Sequence, residues 1–289
     1  MFRREIFRKG GEHAVLLLPG LCSTPLEMQP VANALHRDGY TVLVPHIEGY
    51  GIGEVCTDWR LWVEIAQSRF RELSEKHETV SVCGLSMGAT LGLAVAQRES
   101  VTALSLLAVT LLYDGWTIPW YHPLIDLLFH TPFRHCYRYL EKEPYGLKNK
   151  ALRDRVAKSM SLHNASEIGS ASLSLAHLYH ARRLASYVRK RLNRVTADCL
   201  VLHAIDDDTA SPHNARIVYS GVSSEVKQKC LLGDSYHILT MDNERETVVD
   251  ETRRFFRKAV ARHTGTDEIE ARIVSSALRR VKRSQGGGG

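Results

Sequence analysis

The sequence predicts an α/β fold: a mostly parallel central sheet with helices on both faces and an inserted helical cap. Three observations carry that prediction. Short apolar runs alternate with helix-length amphipathic segments from His13 to Val109. A Gly-x-Ser-x-Gly pentapeptide, Gly84-Leu85-Ser86-Met87-Gly88, stands between an apolar run and a run of small and apolar residues. From Leu111 to Asn193 clear strand patterns disappear, and a buried strand returns at Asp198. The alternation implies parallel pairing, because a crossover helix must carry the chain back before the next strand begins.

Each element has its own signature. His13 to Leu18 is a central strand ending in Pro19-Gly20. Glu27 to Asp38 places Met28, Val31, Ala32 and Leu35 at helical spacing and stops at Gly39, a natural helix end. Thr41 to Val44 is a strand closed by Pro45, and the glycine-spaced loop HIEGYGIGE follows. Thr57 to Lys76 puts Trp59, Trp62, Val63, Ala66, Phe70 and Leu73 on one helical face. Thr79 to Gln97 reads as strand, sharp turn and buried helix, and Val101 to Val109 as a further strand. After the insertion, Asp198 to Ala204 is a strand and about His213 to Tyr219 a helix. Glu225 to Leu232 is the last strand, and Asn243 to Arg262 a closing helix. The expected organisation is therefore a core of residues 1–110 and 194–264, a helical cap over 111–193, and a peripheral, partly disordered tail over 265–289. Within that tail, Glu268 to Val281 could form a small basic helix.

The insertion is aromatic at first (Tyr113, Trp116, Trp120, Tyr121, Phe129, Phe133, Tyr137, Tyr139) and then rich in Ser, Ala and Leu with basic residues. Any single aromatic of this kind is more often ordinary core. As a group, inserted at the carboxyl edge of a sheet, they are expected to cover whatever binds there.

Composition narrows the class. With 289 residues, 44% hydrophobic and 24% charged, the chain can bury a full core and is expected to be globular. The net charge of +6 comes with no nucleic-acid motif, so a solvated basic face is expected rather than a nucleic-acid partner. The six cysteines include no Cys-x-x-Cys pair and three lie in expected strands. Reduced thiols in a cytoplasmic protein are therefore expected, not a disulfide frame or a zinc site. The apolar run after the basic N-terminus is too short for a signal segment, and no stretch reaches transmembrane length, so stable membrane insertion is not expected.

The chemistry centres on Ser86. Gly-x-Ser-x-Gly occurs by chance in many chains, but here strand and helix patterns flank it, the setting of a nucleophile elbow. Such a turn needs small neighbours, which Gly84 and Gly88 supply. A serine hydroxyl also needs a base, and the base an acid, in the chain order Ser, Asp or Glu, His. Asp206, Asp207 and Asp208 follow one late strand, and His237 follows the last.

With these residues in place, the chain resembles the α/β-hydrolases, and within them the small bacterial carboxylesterases and monoacylglycerol-lipase-like esterases. The stretches LLLPGLCSTPLEMQPVANAL, VPHIEGYGIG, VCGLSMGATLGLAVA, HAIDDDTASPHNA and DSYHILTMD carry the resemblance over roughly residues 13–260. It implies Ser86 as nucleophile and His237 as base. The acid of related esterases stands five residues before the proline opening the next helix; counting back from Pro212 favours Asp207, with Asp206 and Asp208 as alternatives. Backbone amides of Leu21 and Met87 would form the oxyanion hole. One departure is visible: the family usually carries His-Gly where this chain has Pro19-Gly20, which alters the hydrogen bonding of that loop. The implied activity is hydrolysis of carboxylic esters of short to medium acyl chain, with no metal or organic cofactor. Monoacylglycerol lipase, thioesterase, acyltransferase or peptidase activity are alternatives on the same residues. A non-catalytic binding protein is the alternative of another class, and a basic cap that docks on a membrane or an acidic carrier a third.

Overall fold

The computed structural model describes residues 5–118, 129, 131, 138–140, 143–163, 165–166, 169–170 and 172–266. Its main sheet has seven strands: β1 (Ile6–Arg8), β2 (His13–Leu18), β3 (Thr41–Val44), β4 (Thr79–Leu85), β5 (Ala103–Leu107), β10 (Asp198–Ala204) and β11 (Lys227–Leu232). The spatial order is β1-β3-β2-β4-β5-β10-β11. All neighbours run parallel except β1, which pairs antiparallel with β3. Strand β1 has three residues, too few for a periodic pattern, and the sequence does not announce it.

Successive strand residues serve opposite layers. Leu16, Leu18, Val82 and Val201 pack on one face with Trp62 and Phe70 of α2 (Trp59–Ser74), Leu91 and Leu93 of α3 (Met87–Ala96) and Val218 of α6 (His213–Gly221). Val15, Leu17, Leu85 and Leu202 pack on the other with Val31 and Leu35 of α1 (Gln29–Arg37) and Phe255 and Phe256 of α7 (Arg245–His263). With helices on both sides, the inner strands are apolar throughout, and the four residues of β3 are all buried. Helix ends are trimmed relative to expectation. Helix α2 starts at Trp59 because the Asp58 carboxylate caps it through the Arg60 amide at 2.8 Å. Residues Pro25–Met28 form a 3-10 turn before α1, which moves Glu27 off the helix.

The insertion is not wholly helical. Strands β6 (Arg138–Leu140) and β9 (Ser172–Ser174) pair antiparallel, as do β7 (Ala165–Ser166) and β8 (Gly169–Ser170), beside helix α4 (Lys150–His163). Helix α5 (Leu175–Arg189), grouped by sequence with the cap, instead packs Ala181, Leu184 and Val188 into the core beside α2 and α3. Trp120, Tyr121, Phe133, Tyr137 and the tail from 267 onward, including the basic segment Glu268 to Val281, lie outside the described residues. Among the described residues no helix is long and apolar enough to cross a membrane, and no group of three or more His, Cys, Asp or Glu could hold a metal ion.

Candidate active site

Ser86 stands between the end of β4 and the first residue of α3, with φ 57° and ψ −119°. A non-glycine residue rarely takes that geometry, and its surroundings must enforce it. Its amide donates to Leu107 O at 2.8 Å, tying the turn to β5. A Cβ on Gly84 would sit 2.3 Å from Gly88 O; one on Gly88 would sit 2.2 Å from Leu18 O and 2.3 Å from Pro19 O. Only glycine fits at either place, so the pentapeptide's two glycines are set by contact distance.

His237 follows β11 and brings its Nε2 to 2.7 Å from Ser86 Oγ. Its Nδ1 lies 3.0 and 2.9 Å from the two oxygens of Asp207. The Asp207 carboxylate also accepts the Thr209 amide at 2.9 Å and the Ala210 amide at 2.8 Å. The other two aspartates of the triplet point elsewhere. Asp206 is exposed and pairs with Lys148 at 3.2 Å. Asp208 is buried, but its Oδ2 accepts the Gly146 amide at 3.0 Å and its carbonyl accepts from Thr117. Asp234 is exposed, its carboxylate near Lys148 and its Oδ2 accepting from Asn243. Of the acids that sequence order left open, Asp207 alone meets the imidazole.

Besides Asp208, weighed only as an alternative acid, three neighbours were not singled out by sequence reasoning: Thr110, His203 and Glu27. Thr110 Oγ1 lies 3.3 Å from Ser86 Oγ. His203, buried on β10, places Nε2 2.8 Å from Ala210 O and 3.4 Å from Asp207, and burial pushes its pKa down. It therefore stays neutral and braces the acid's loop. Asp208 holds the loop at Gly146 beside His237. Glu27 is fully buried and its Oε2 accepts the Gly20 amide at 2.7 Å.

The charges around the imidazole are uneven. Burial alone would lower the pKa of His237, but Asp207, then Asp208 and Glu27, outweigh it and raise it to about 9. Burial would raise Asp207, yet His237, His203 and the Ala210 amide hold it below the ordinary carboxylate range. For Asp208 and Glu27 burial outweighs His237 and the amides of Gly146 and Gly20, and it raises both, Glu27 to about 7.

The start of the loop after β2, at Pro19, packs closely against Gly88 of the nucleophile turn. Tyr50 Oη donates to Pro19 O at 2.9 Å, and the Cys22 amide donates to Tyr50 O at 3.0 Å. The Leu21 amide has no backbone acceptor among the described residues. Met87, as first residue of α3, has an amide with no intrahelical acceptor. Two donors are thus left over, one on the residue after Ser86 and one in the loop after β2, while a buried imidazole contacts the Ser86 hydroxyl. That arrangement can ionise the hydroxyl as it attacks a carbonyl and receive the resulting negative charge.

Comparison with known proteins places this arrangement. The Hydrolase_4 family, described as serine aminopeptidase, S33, matches residues 11–244. The chain is 27% identical over 262 residues to a thermostable monoacylglycerol lipase of Bacillus sp. (strain H-257), covering 90% of this chain and 94% of that one. It is 23% identical over 256 residues to a carboxylesterase of Bacillus subtilis (strain 168), covering 86% and 94%. Among solved structures, a monoacylglycerol lipase of Paleococcus ferrophilus superposes with a TM-score of 0.74 at 15% identity over 89% of this chain and 98% of its own. A structure reported for the metagenome-derived lipolytic enzymes LipS and LipT gives 0.73 at 22% identity, with the same coverage of 89% and 98%. At such identities the superpositions speak for the α/β-hydrolase fold alone.

Proposed function

The chain belongs to the serine aminopeptidase S33 (Hydrolase_4) family and is a serine hydrolase of the esterase and lipase kind, and we propose that it cleaves carboxylic esters of short to medium acyl chain through an acyl-enzyme on Ser86, His237 and Asp207. The observation that supports this reading most strongly is the unbroken contact from Asp207 through His237 Nδ1 and Nε2 to Ser86 Oγ.

The proposed reaction follows from the contacts. As Ser86 Oγ bonds to the ester carbon, its proton passes to His237 Nε2, and the carbonyl electron pair moves onto oxygen. The Leu21 and Met87 amides donate to that oxygen, and the positive end of α3 favours it. Asp207 holds Nδ1–H and stabilises the imidazolium without taking its proton. When the tetrahedral species collapses, the alcohol leaves with the proton from Nε2. Water then repeats the sequence on the acyl-enzyme, with His237 again taking and returning the proton. A monoacylglycerol is a specific case favoured by the likeness to a monoacylglycerol lipase over nine-tenths of the chain. The aromatic part of the insertion is proposed to cover the acyl chain.

Turnover of p-nitrophenyl esters tests the reading. Ser86→Ala is expected to lose at least about 1000-fold in kcat; turnover equal to the parent would defeat it. A panel of matched ester, thioester and amide substrates, together with monoacylglycerols, separates the esterase from its rivals.

A further inference from the structure

The loop between β2 and the 3-10 turn carries a buried carboxyl that the reaction above does not use. Glu27 is 1% exposed, at the floor of the loop that presents the Leu21 amide. Its Oε2 takes the Gly20 amide at 2.7 Å, and its side chain also accepts from the Ser23 hydroxyl. Gly20 permits this approach, since a Cβ there would lie only 3.2 Å from Oε2. Further fastenings of the loop come from its own backbone, from Tyr50 and from the Ile52 amide, which donates to Ser23 O at 3.2 Å. Ser23 N reaches Gly20 O, Cys22 takes a left-handed φ of 54°, and the Tyr50 phenol, kept protonated by its burial, holds Pro19 O. Glu27 thus engages two of the polar groups that flank Leu21, the Gly20 amide and the Ser23 hydroxyl.

An isolated carboxyl in the interior is costly and is expected to be replaced unless it has a task. Here a neutral acceptor could supply the same hydrogen bonds, yet Glu27 also adds negative charge that acts on His237. The charged and titratable groups facing His237 are Asp207 and Asp208 from the loop after β10, His203 from β10 and Glu27 from the loop after β2. Glu27 alone among them couples to both the donor loop and the base.

We propose that Glu27 is a positioning residue for the reaction on Ser86: by gripping the Gly20 amide and the Ser23 hydroxyl it fixes the Leu21 amide against the developing oxyanion, and its charge supports the imidazolium of His237. This rests on the esterase reading of the site. A donor displaced by about an ångström costs up to the order of 100-fold in rate, so the loop's grip is kinetically consequential even though Glu27 does not touch substrate.

The test is the pH dependence of p-nitrophenyl ester hydrolysis by parent, Glu27→Ala, Glu27→Gln and Ser86→Ala, each checked for folding by circular dichroism. Glu27→Ala is expected to lose about 10- to 100-fold in kcat with KM within about threefold, because the donor is misplaced while the pocket is intact. Glu27→Gln restores the acceptor for Gly20 and is expected to recover most of that loss. Because Gln carries no charge, the acid limb of its kcat/KM profile should move to lower pH by about 0.5 unit. A purely structural residue would not move that limb. A Glu27→Gln profile superimposable on the parent's overturns the proposal, as does a folded Glu27→Ala with parental kcat. If Glu27→Ala does not fold, the Gln profile alone decides. Parent and Ser86→Ala turning over alike would instead sink the esterase reading, so the two failures are distinct.

Discussion

Asp207 receives two backbone amides and the His237 ring at once, and that crowding makes its role testable. Asp207→Asn keeps the size but offers the ring the wrong hydrogen-bonding partner; kcat is expected to fall about 10,000-fold, with folding retained. A loss below tenfold would remove Asp207 from the relay. Glu27 makes a stability prediction with a definite sign. Its carboxyl is raised above the ordinary 4.5 to about 7 by burial, against the Gly20 amide, Ser23 and His237. An acid raised in the fold supports stability fully below pH 4.5 and loses that support as pH climbs through 7. By pH 8 the deficit is about 3 kcal/mol at 1.36 kcal/mol per unit. Glu27→Gln does not titrate, so its Tm relative to the parent should rise between pH 5 and pH 8, by about 5 °C. A difference that stays flat across that range would contradict the buried titration. Ser86 and His237 were legible because a strand-to-helix pentapeptide and a loop after the last strand are positional signals. Asp207 was separable from its neighbours only through the family's spacing to a proline. Glu27 was not legible, because a carboxylate at the edge of a helical pattern reads as a solvated residue. The one pointer was Pro19 in the place of the family's histidine, which leaves the loop in need of another anchor.

At the scale of elements, the nucleophile turn depends on how closely α3 approaches β2. Gly88 and Gly92 both lie on α3 and separate two effects. A Cβ at Gly88 strikes the Leu18 and Pro19 carbonyls, backbone atoms that cannot yield without moving the donor loop. Gly88→Ala is expected to destabilise by about 3 kcal/mol and to lower kcat. At Gly92 the nearest atom is Val82 Cγ1 at 3.1 Å, a side chain that can give. There the gain in helix propensity, about 0.5–1 kcal/mol, offsets the contact, and Gly92→Ala is expected to stay within about 1 kcal/mol of the parent. Urea unfolding of the two variants measures both; equal effects would contradict the contact argument. The same elements show what periodicity conveys. Strand β4 and helix α3 are buried throughout, so length and small residues identified them rather than amphipathicity. Helix α5 was grouped with the cap because its Ser, Ala and Leu content resembles the preceding insertion. Its Ala181, Leu184 and Val188 stripe in fact meets α2 and α3. Short pairs such as β6 with β9 carry too few residues for any period to register.

Across the whole molecule, topology gathers what sequence scatters. Strands β2, β4, β10 and β11 run parallel, so their carboxyl ends share one edge. The loops that leave that edge carry Leu21, Ser86, Asp207 and His237, residues up to 216 positions apart in the 289-residue chain. Alternation alone predicts the sheet and its parallel strands, and the edge at which ligands gather follows from them. Strand order across the sheet is not written in any local pattern, nor is the shape of the insertion, which follows from contacts between distant segments. Convergence at one edge is the central claim, and a fluorophosphonate probe with peptide mapping by mass spectrometry tests it most directly. The account predicts a single adduct on Ser86, its formation slowed at least about 1000-fold in His237→Ala. Labelling on another residue, or undiminished labelling of Ser86 without the imidazole, would contradict it.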